Sequence, residues 1–218
     1  MKIKILNLIV LVVIISFFSC IEYQSENNLP ILGPREPVEK VVDGKTIIDT
    51  IYHSIPNFSF TNQDGNEVTN KSFSNGYYVT DFFFTSCPTI CPVMTKNMLQ
   101  LYDEFEDEEK VLFLSHTIDT RHDSVAVLKK YATKIDVKSD KWHFVTGSKE
   151  GIYDIAESYL VSAAEDPNSP GGYIHSGAFI LVDPLGHIRG YYDGTQPQAV
   201  DKLKRELKAL LKKDEKVN

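Results

Sequence analysis

The sequence predicts an α/β domain: a central mixed sheet flanked by helices, closed by a C-terminal hairpin and helix. Three observations carry this. Strand-like and helix-like segments alternate from Tyr77 onward, the order that builds a sheet with crossover helices. The runs Tyr77–Phe84 and Val111–Ile118 are rich in β-branched, aromatic and aliphatic residues, as buried strands are. The last fifteen residues of the pattern, Gln198 to Lys212, place Val200, Leu203, Leu207, Leu210 and Leu211 on one helical stripe.

Taken in order, Lys2 and Lys4 precede an apolar run from Ile5 to Phe18, which stops at Ser19-Cys20. A short basic region followed by about 7–15 apolar residues is an export signal. The cysteine after a small residue predicts a lipoprotein-type signal peptide over residues 1–19, with Cys20 lipidated as the mature N-terminus. The chain is then expected in the cell envelope, lipid-anchored to a membrane and facing the periplasm. Residues 20–46 carry Pro30, Gly33, Pro34, Pro37 and Gly44 and no persistent period, and read as a membrane-proximal linker. The domain is expected over residues 47–213.

Within it, Ile55–Phe60 reads as an edge segment and Asn62–Asn66 as a turn. Tyr77–Phe84 is a strand. Val93–Phe105 is a helix through the spacing of Met94, Met98, Leu101 and Phe105. Val111–Ile118 is the second strand. A helix follows from Asp123, a candidate N-cap, to Tyr131. Trp142–Val145 is a short strand, and Ser148 caps a helix to about Tyr159. Ala178–Val182, Asp183-Pro-Leu-Gly186 and His187–Tyr192 form a hairpin.

Composition limits the function. The 218 residues hold 23 basic and 30 acidic side chains, a net charge of −7 that deepens when Lys2 and Lys4 leave with the signal. That balance excludes nucleic acid as a main partner, because phosphate binding needs a basic face. Three cysteines are too few for a disulfide scaffold in a domain this size. With Cys20 acylated, Cys87 and Cys91 remain for chemistry.

These two lie in Phe82-Phe-Phe-Thr-Ser-Cys87-Pro-Thr-Ile-Cys91-Pro92, between the first central strand and its helix, a placement that suggests a thioredoxin-like fold. Residues four apart on a helix have Cβ atoms about 5–6 Å apart, so the spacing permits a disulfide or two thiolates on one ion. Pro92 suits a first helical position, and a helix N-terminus favours thiolate. Two thiolates do not close a zinc site, which takes four ligands, whereas soft sulfur with an imidazole suits copper.

The cysteine segment, a downstream histidine before an apolar strand and the Asp-Pro-x-Gly turn together resemble the Sco/SenC family from about Ile55 to Leu211. The resemblance implies a membrane-tethered copper chaperone that assists assembly of the cytochrome c oxidase copper site, with that oxidase subunit as partner. It places the copper ligands, Cu(I) or Cu(II), on Cys87, Cys91 and His175. The chain departs from the family pattern at Ile174, commonly Asp, at Thr89, often Asp, and in Ser115-His-Thr-Ile-Asp119-Thr-Arg-His-Asp123, where only the two aspartates of the usual motif are kept.

The alternative function is a thiol–disulfide oxidoreductase in which Cys87 attacks a partner's disulfide and Cys91 resolves it. A peroxidase on the same fold is a weaker reading, since no arginine lies near Cys87 in sequence. Among the other candidates, His116 ends a buried strand and reads as a packed or exposed histidine rather than a ligand, and it is the better outside candidate because strand ends border sites in open α/β sheets. His53 and His187 read as surface residues, His122 as a packed or exposed one and His143 as a strand residue. Met94 and Met98 read as core. Asp81 interrupts an apolar strand and is either a hydrogen-bonded structural carboxyl or a proton acceptor beneath the cysteines.

Overall fold

The computed structural model describes residues 29–217. They fall into two compact units, Ile31–Leu203 and a smaller one that includes the chain from Lys204 onward. The larger unit holds a seven-stranded mixed sheet. In chain order its strands are β3 (Ser59–Asn62), β4 (Glu67–Thr69), β5 (Tyr77–Phe83), β6 (Val111–Thr117), β7 (Trp142–Thr146), β10 (Ala178–Val182) and β11 (Ile188–Asp193). In space the order is β11-β10-β5-β6-β7-β3-β4. The three central strands β5, β6 and β7 are parallel, and the others pair antiparallel.

Parallel neighbours need crossovers, and helices supply them. Helix α1 (Cys91–Phe105) connects β5 to β6, and α2 (Val125–Lys134) connects β6 to β7. Helix α3 (Lys149–Ser158) follows β7, and α4 (Pro197–Val217) ends the described chain. Ser148 caps α3 as expected, its side chain accepting from the Gly151 N–H at 3.0 Å. Every residue of β5 is buried. Val79, Phe113, Leu114, Val145, Ile180 and Leu181 are fully buried. At roughly 25 cal/mol per Å² of apolar surface, such a core supports the fold without a ligand. The metal-free protein is therefore expected to melt in one cooperative transition; a gradual, non-cooperative thermal scan would contradict this.

Two expectations need correction. The stretch expected to lack strand structure up to residue 46 holds strand β1 (Arg35–Val42), paired antiparallel with β2 (Lys45–Tyr52). All sixteen side chains of this hairpin are exposed, so neither strand needs an apolar face and no alternation marks it. The legible signal was Asp43-Gly44, both at positive φ (51° and 73°), the two-residue turn that suits a hairpin. The cap of α2 is Ser124, not Asp123, whose carboxylate is engaged elsewhere. A second small hairpin, β8 (Ala163–Glu165) with β9 (Tyr173–His175), leaves no periodic signal in the sequence because each strand has only three residues. Residues 1–19 and Cys20 lie outside the described residues. Among the described residues no helix is long and apolar enough to cross a membrane.

Candidate metal centre

The centre is built where β5 hands over to α1. Strand β5 ends at Phe83, and the chain turns at once, the Cys87 N–H donating to the Phe84 carbonyl at 3.2 Å. Cys91 opens α1, with Pro92 in the first turn, where no backbone donor is required. The third residue arrives from β9, which ends at His175. The sulfurs of Cys87 and Cys91 and a ring nitrogen of His175 all lie within 4.8 Å of one another. Among the described residues this is the one such cluster of three metal-ligating side chains.

The imidazole is oriented for coordination. His175 Nδ1 lies 3.0 Å from the Ser176 carbonyl, which can only accept, so Nδ1 carries the proton. Nε2 is then the unprotonated nitrogen, and it faces Cys91 Sγ at 3.2 Å. A ligating histidine usually donates its other N–H to a carboxylate or carbonyl. The backbone of Ser176 does here what a neighbouring aspartate would do, and Ile174 points outward, 48% exposed. Burial pushes the His175 pKa down and so favours the neutral, ligating form. The ring packs edge-on to Phe84, centroids 5.9 Å apart, and Phe84 also meets Tyr173 at 5.1 Å. Gly171, at φ +84°, lets the hairpin approach this ring; a Cβ there would sit 2.9 Å from Phe84 and 3.2 Å from Pro88.

The two thiols differ. Burial pushes Cys87 up, but hydrogen bonds from Thr89 and Cys91 outweigh it, so this thiol ionises below its ordinary value. Burial, reinforced by the neighbouring Cys87, pushes Cys91 well above it. Both cysteines are buried, at 8% and 3% exposure, and both are free. Two sulfurs and one neutral imidazole form a soft, three-donor set, matched to a thiophilic ion and short of the four ligands of a closed zinc site. The unequal thiols also suit attack by Cys87 and resolution by Cys91.

The other candidates lie elsewhere. His116 is fully buried, 3.2 Å from Thr80 Oγ1 and stacked on Phe82 at 4.9 Å; burial lowers its pKa to about 3. It is a core residue. Met94 and Met98 are core as expected. His143 sits beside Asn62 and His53 reaches the Ser158 carbonyl. His187, expected at the surface, is 17% exposed, packed against Tyr52 and beside Asp183. Tyr173, Phe84 and the Ser176 carbonyl were not singled out from sequence: an aromatic run gives no sign of which ring faces a site, and a carbonyl gives none at all.

Asp81 is buried and accepts from Ser115 Oγ at 2.5 Å, with Trp142 Nε1 donating to the same hydroxyl. Burial raises its pKa to about 7, only partly offset by Ser115. A carboxyl whose folded pKa is raised stabilises the native state below its unfolded value and loses that contribution as pH climbs through the folded one. Metal-free protein is expected to lose stability from this group between about pH 4 and 7. Melting Asp81→Asn beside the wild type across that range checks it; parallel curves would refute it.

The SCO1/SenC family profile matches residues 50–212. The SCO1 protein homolog of Bacillus subtilis (strain 168) is 32% identical over 168 residues, covering 76% of this chain and 87% of its own. Among solved structures, BsSco is described as a member of the Sco family of cytochrome c oxidase assembly proteins with a disulfide switch. It superposes with a TM-score of 0.64 at 31% identity, over 72% of this chain and 92% of its own. Bradyrhizobium japonicum ScoI, solved with copper bound, gives a TM-score of 0.57 at 26% identity, over 70% and 98%.

Proposed function

The chain belongs to the SCO1/SenC family, and from that premise we propose that it is a membrane-tethered, extracytoplasmic copper chaperone serving the copper site of a cytochrome c oxidase subunit. The observation that carries this reading is the convergence of Cys87, Cys91 and His175 within 4.8 Å, with the imidazole proton already committed to Ser176. Copper is the cargo. Cys87 and Cys91 hold Cu(I) as thiolates, and His175 adds the nitrogen donor that makes a Cu(II) site. A three-donor set leaves the ion a position through which an acceptor's ligands enter, so transfer proceeds by ligand exchange without an unbound ion. The copper-bound relative and the relative described as an oxidase assembly protein support this assignment.

The thioredoxin-like domain, residues 47–213, works at the end of a linker, with residues 1–19 removed and Cys20 acylated. Cys20→Ala is expected to abolish incorporation of labelled fatty acid, since Cys20 is the residue that carries the acyl anchor in this reading; undiminished labelling would remove the lipoprotein assignment.

The second reading, disulfide exchange on the cysteines of a partner, is favoured by one observation, the lowered Cys87 thiol beside the raised Cys91 thiol. Anaerobic reconstitution of the fully reduced protein separates the two. The chaperone takes up one copper per chain and retains it through gel filtration. A protein that retains none and reduces disulfides rapidly is an oxidoreductase.

A further inference from the structure

The two ligand-bearing segments come from different sheets. Cys87 and Cys91 leave the seven-stranded sheet, whereas His175 rides on the β8–β9 hairpin, a separate two-stranded sheet. Strands of three residues do not hold themselves in place. The chain after His175 enters β10 at Ala178, and β10 pairs with β5, which ties one end of β9 to the sheet; the end that begins at Tyr173 needs a second anchor to fix the distance between sulfur and imidazole.

The connection after β6 is placed to do so. It carries two buried aspartates, Asp119 and Asp123, at 3% and 1% exposure. Asp123 accepts three hydrogen bonds: from the Thr85 N–H at 3.0 Å, the Thr85 hydroxyl at 2.5 Å and the Thr117 hydroxyl at 2.5 Å. Asp119 accepts from the Tyr173 hydroxyl at 2.8 Å and contacts His122 Nδ1 at 2.8 and 2.9 Å. Thr85 stands two residues before Cys87, and Tyr173 two residues before His175. Each aspartate therefore grips a ligand-bearing segment at the same remove from its ligand.

The aspartates are also fixed to one another. The Asp123 N–H donates to the Asp119 carbonyl at 2.9 Å, and the Asp119 N–H to Thr117 Oγ1 at 3.2 Å. On β9, Tyr173 and His175 share a face, as residues two apart in a strand do, and both rings pack on Phe84. A displacement of Tyr173 is thus transmitted to His175. The other polar tie between this turn and the hairpin, Arg121 to Glu165 at 3.2 Å, is solvent-exposed and weak.

We propose that the turn Thr117–Asp123 is a staple that sets the sulfur-to-imidazole distance, with Asp123 positioning the cysteine segment through Thr85 and Asp119 positioning His175 through Tyr173. The roles of Asp119, Asp123 and Tyr173 are those of positioning residues, and the effect on copper rests on the function proposed above.

The experiment compares wild type with Tyr173→Phe, which deletes one hydroxyl and keeps the ring on Phe84, and with Asp119→Asn. The mature chain in detergent is titrated with Cu(II), followed by its thiolate charge-transfer band, and with Cu(I) against a competing chelator. Amide exchange at Ser176 and Asp166, whose N–H groups bond to Ser162 and Gly172, is measured on metal-free protein. In Tyr173→Phe the Cu(II) affinity is expected to fall about tenfold with a shifted band, the low end for loss of a ligand's supporting partner. Cu(I) affinity and the melting temperature should hold, and the two amides should exchange faster. Equal loss of Cu(I) and Cu(II) affinity with a lowered melting temperature would mean a merely structural hydroxyl and overturn the proposal. So would a variant matching wild type in band, affinity and exchange. If the wild type binds no copper, the proposed function falls, and the metal-free exchange rates still decide the staple: faster in the variants supports it, unchanged overturns it.

Discussion

His175→Ala is expected to lower Cu(II) affinity by more than about 100-fold, beyond the range seen when only a partner of a ligand is lost. The imidazole is the one nitrogen in the cluster, and its Nε2 lies 3.2 Å from Cys91 Sγ. Without it Cu(II) meets two thiolates alone, which reduce it rather than hold it. Cu(I) binding should survive more fully, because two sulfurs hold that ion in near-linear geometry. Disulfide reduction should be unchanged, since attack depends on thiolate fraction and access at Cys87. Titration by the charge-transfer band, alongside reductase kinetics, reads all three. An unaltered Cu(II) spectrum and affinity would remove His175 from the site.

Phe84→Ala should produce the largest loss of stability at the site. Phe84 is 2% exposed and is the surface on which Tyr173, His175 and the close-approaching Gly171 all rest. Truncating a buried phenylalanine costs about 3–5 kcal/mol, through lost transfer energy and the cavity left behind. In a chain of this length that lowers the melting temperature by about 10 °C. The β8–β9 hairpin loses its apolar support together with the fold, so Cu(II) affinity should fall as well. Thermal melts of metal-free protein, followed by Cu(II) titration below the transition, check both parts. A variant melting within a degree or two of wild type would show that the hairpin does not rest on this ring.

Much of the fold was legible because it rests on long apolar runs. Tyr77–Phe84 and Val111–Ile118 differ by one residue from the observed strands β5 and β6, and the Met94–Phe105 stripe belongs to α1. Three features were not legible, for separate reasons. The β1–β2 hairpin is exposed on both faces, so hydrophobic alternation has nothing to record and only the Asp43-Gly44 turn marks it. Asp123 precedes a helix and resembles a cap in sequence, yet its carboxylate is spent on Thr85 and Thr117, a long-range choice no local pattern reveals. Ile174, where the family pattern commonly has aspartate, spoke against a well-oriented His175; the Ser176 carbonyl supplies the acceptor instead, and backbone acceptors have no signature in sequence. The cysteine pair is legible from its own spacing, while His175 is marked only by resemblance, Cys91 being 84 residues away from it in the chain.

The most direct measurement of the central claim is X-ray absorption at the copper edge on the reconstituted Cu(II) protein, with His175→Ala as the reference. The account predicts two sulfur scatterers and one imidazole in the wild type, with the imidazole lost in the variant. A copper shell of oxygen and nitrogen alone, or an imidazole signal that persists in His175→Ala, would contradict it.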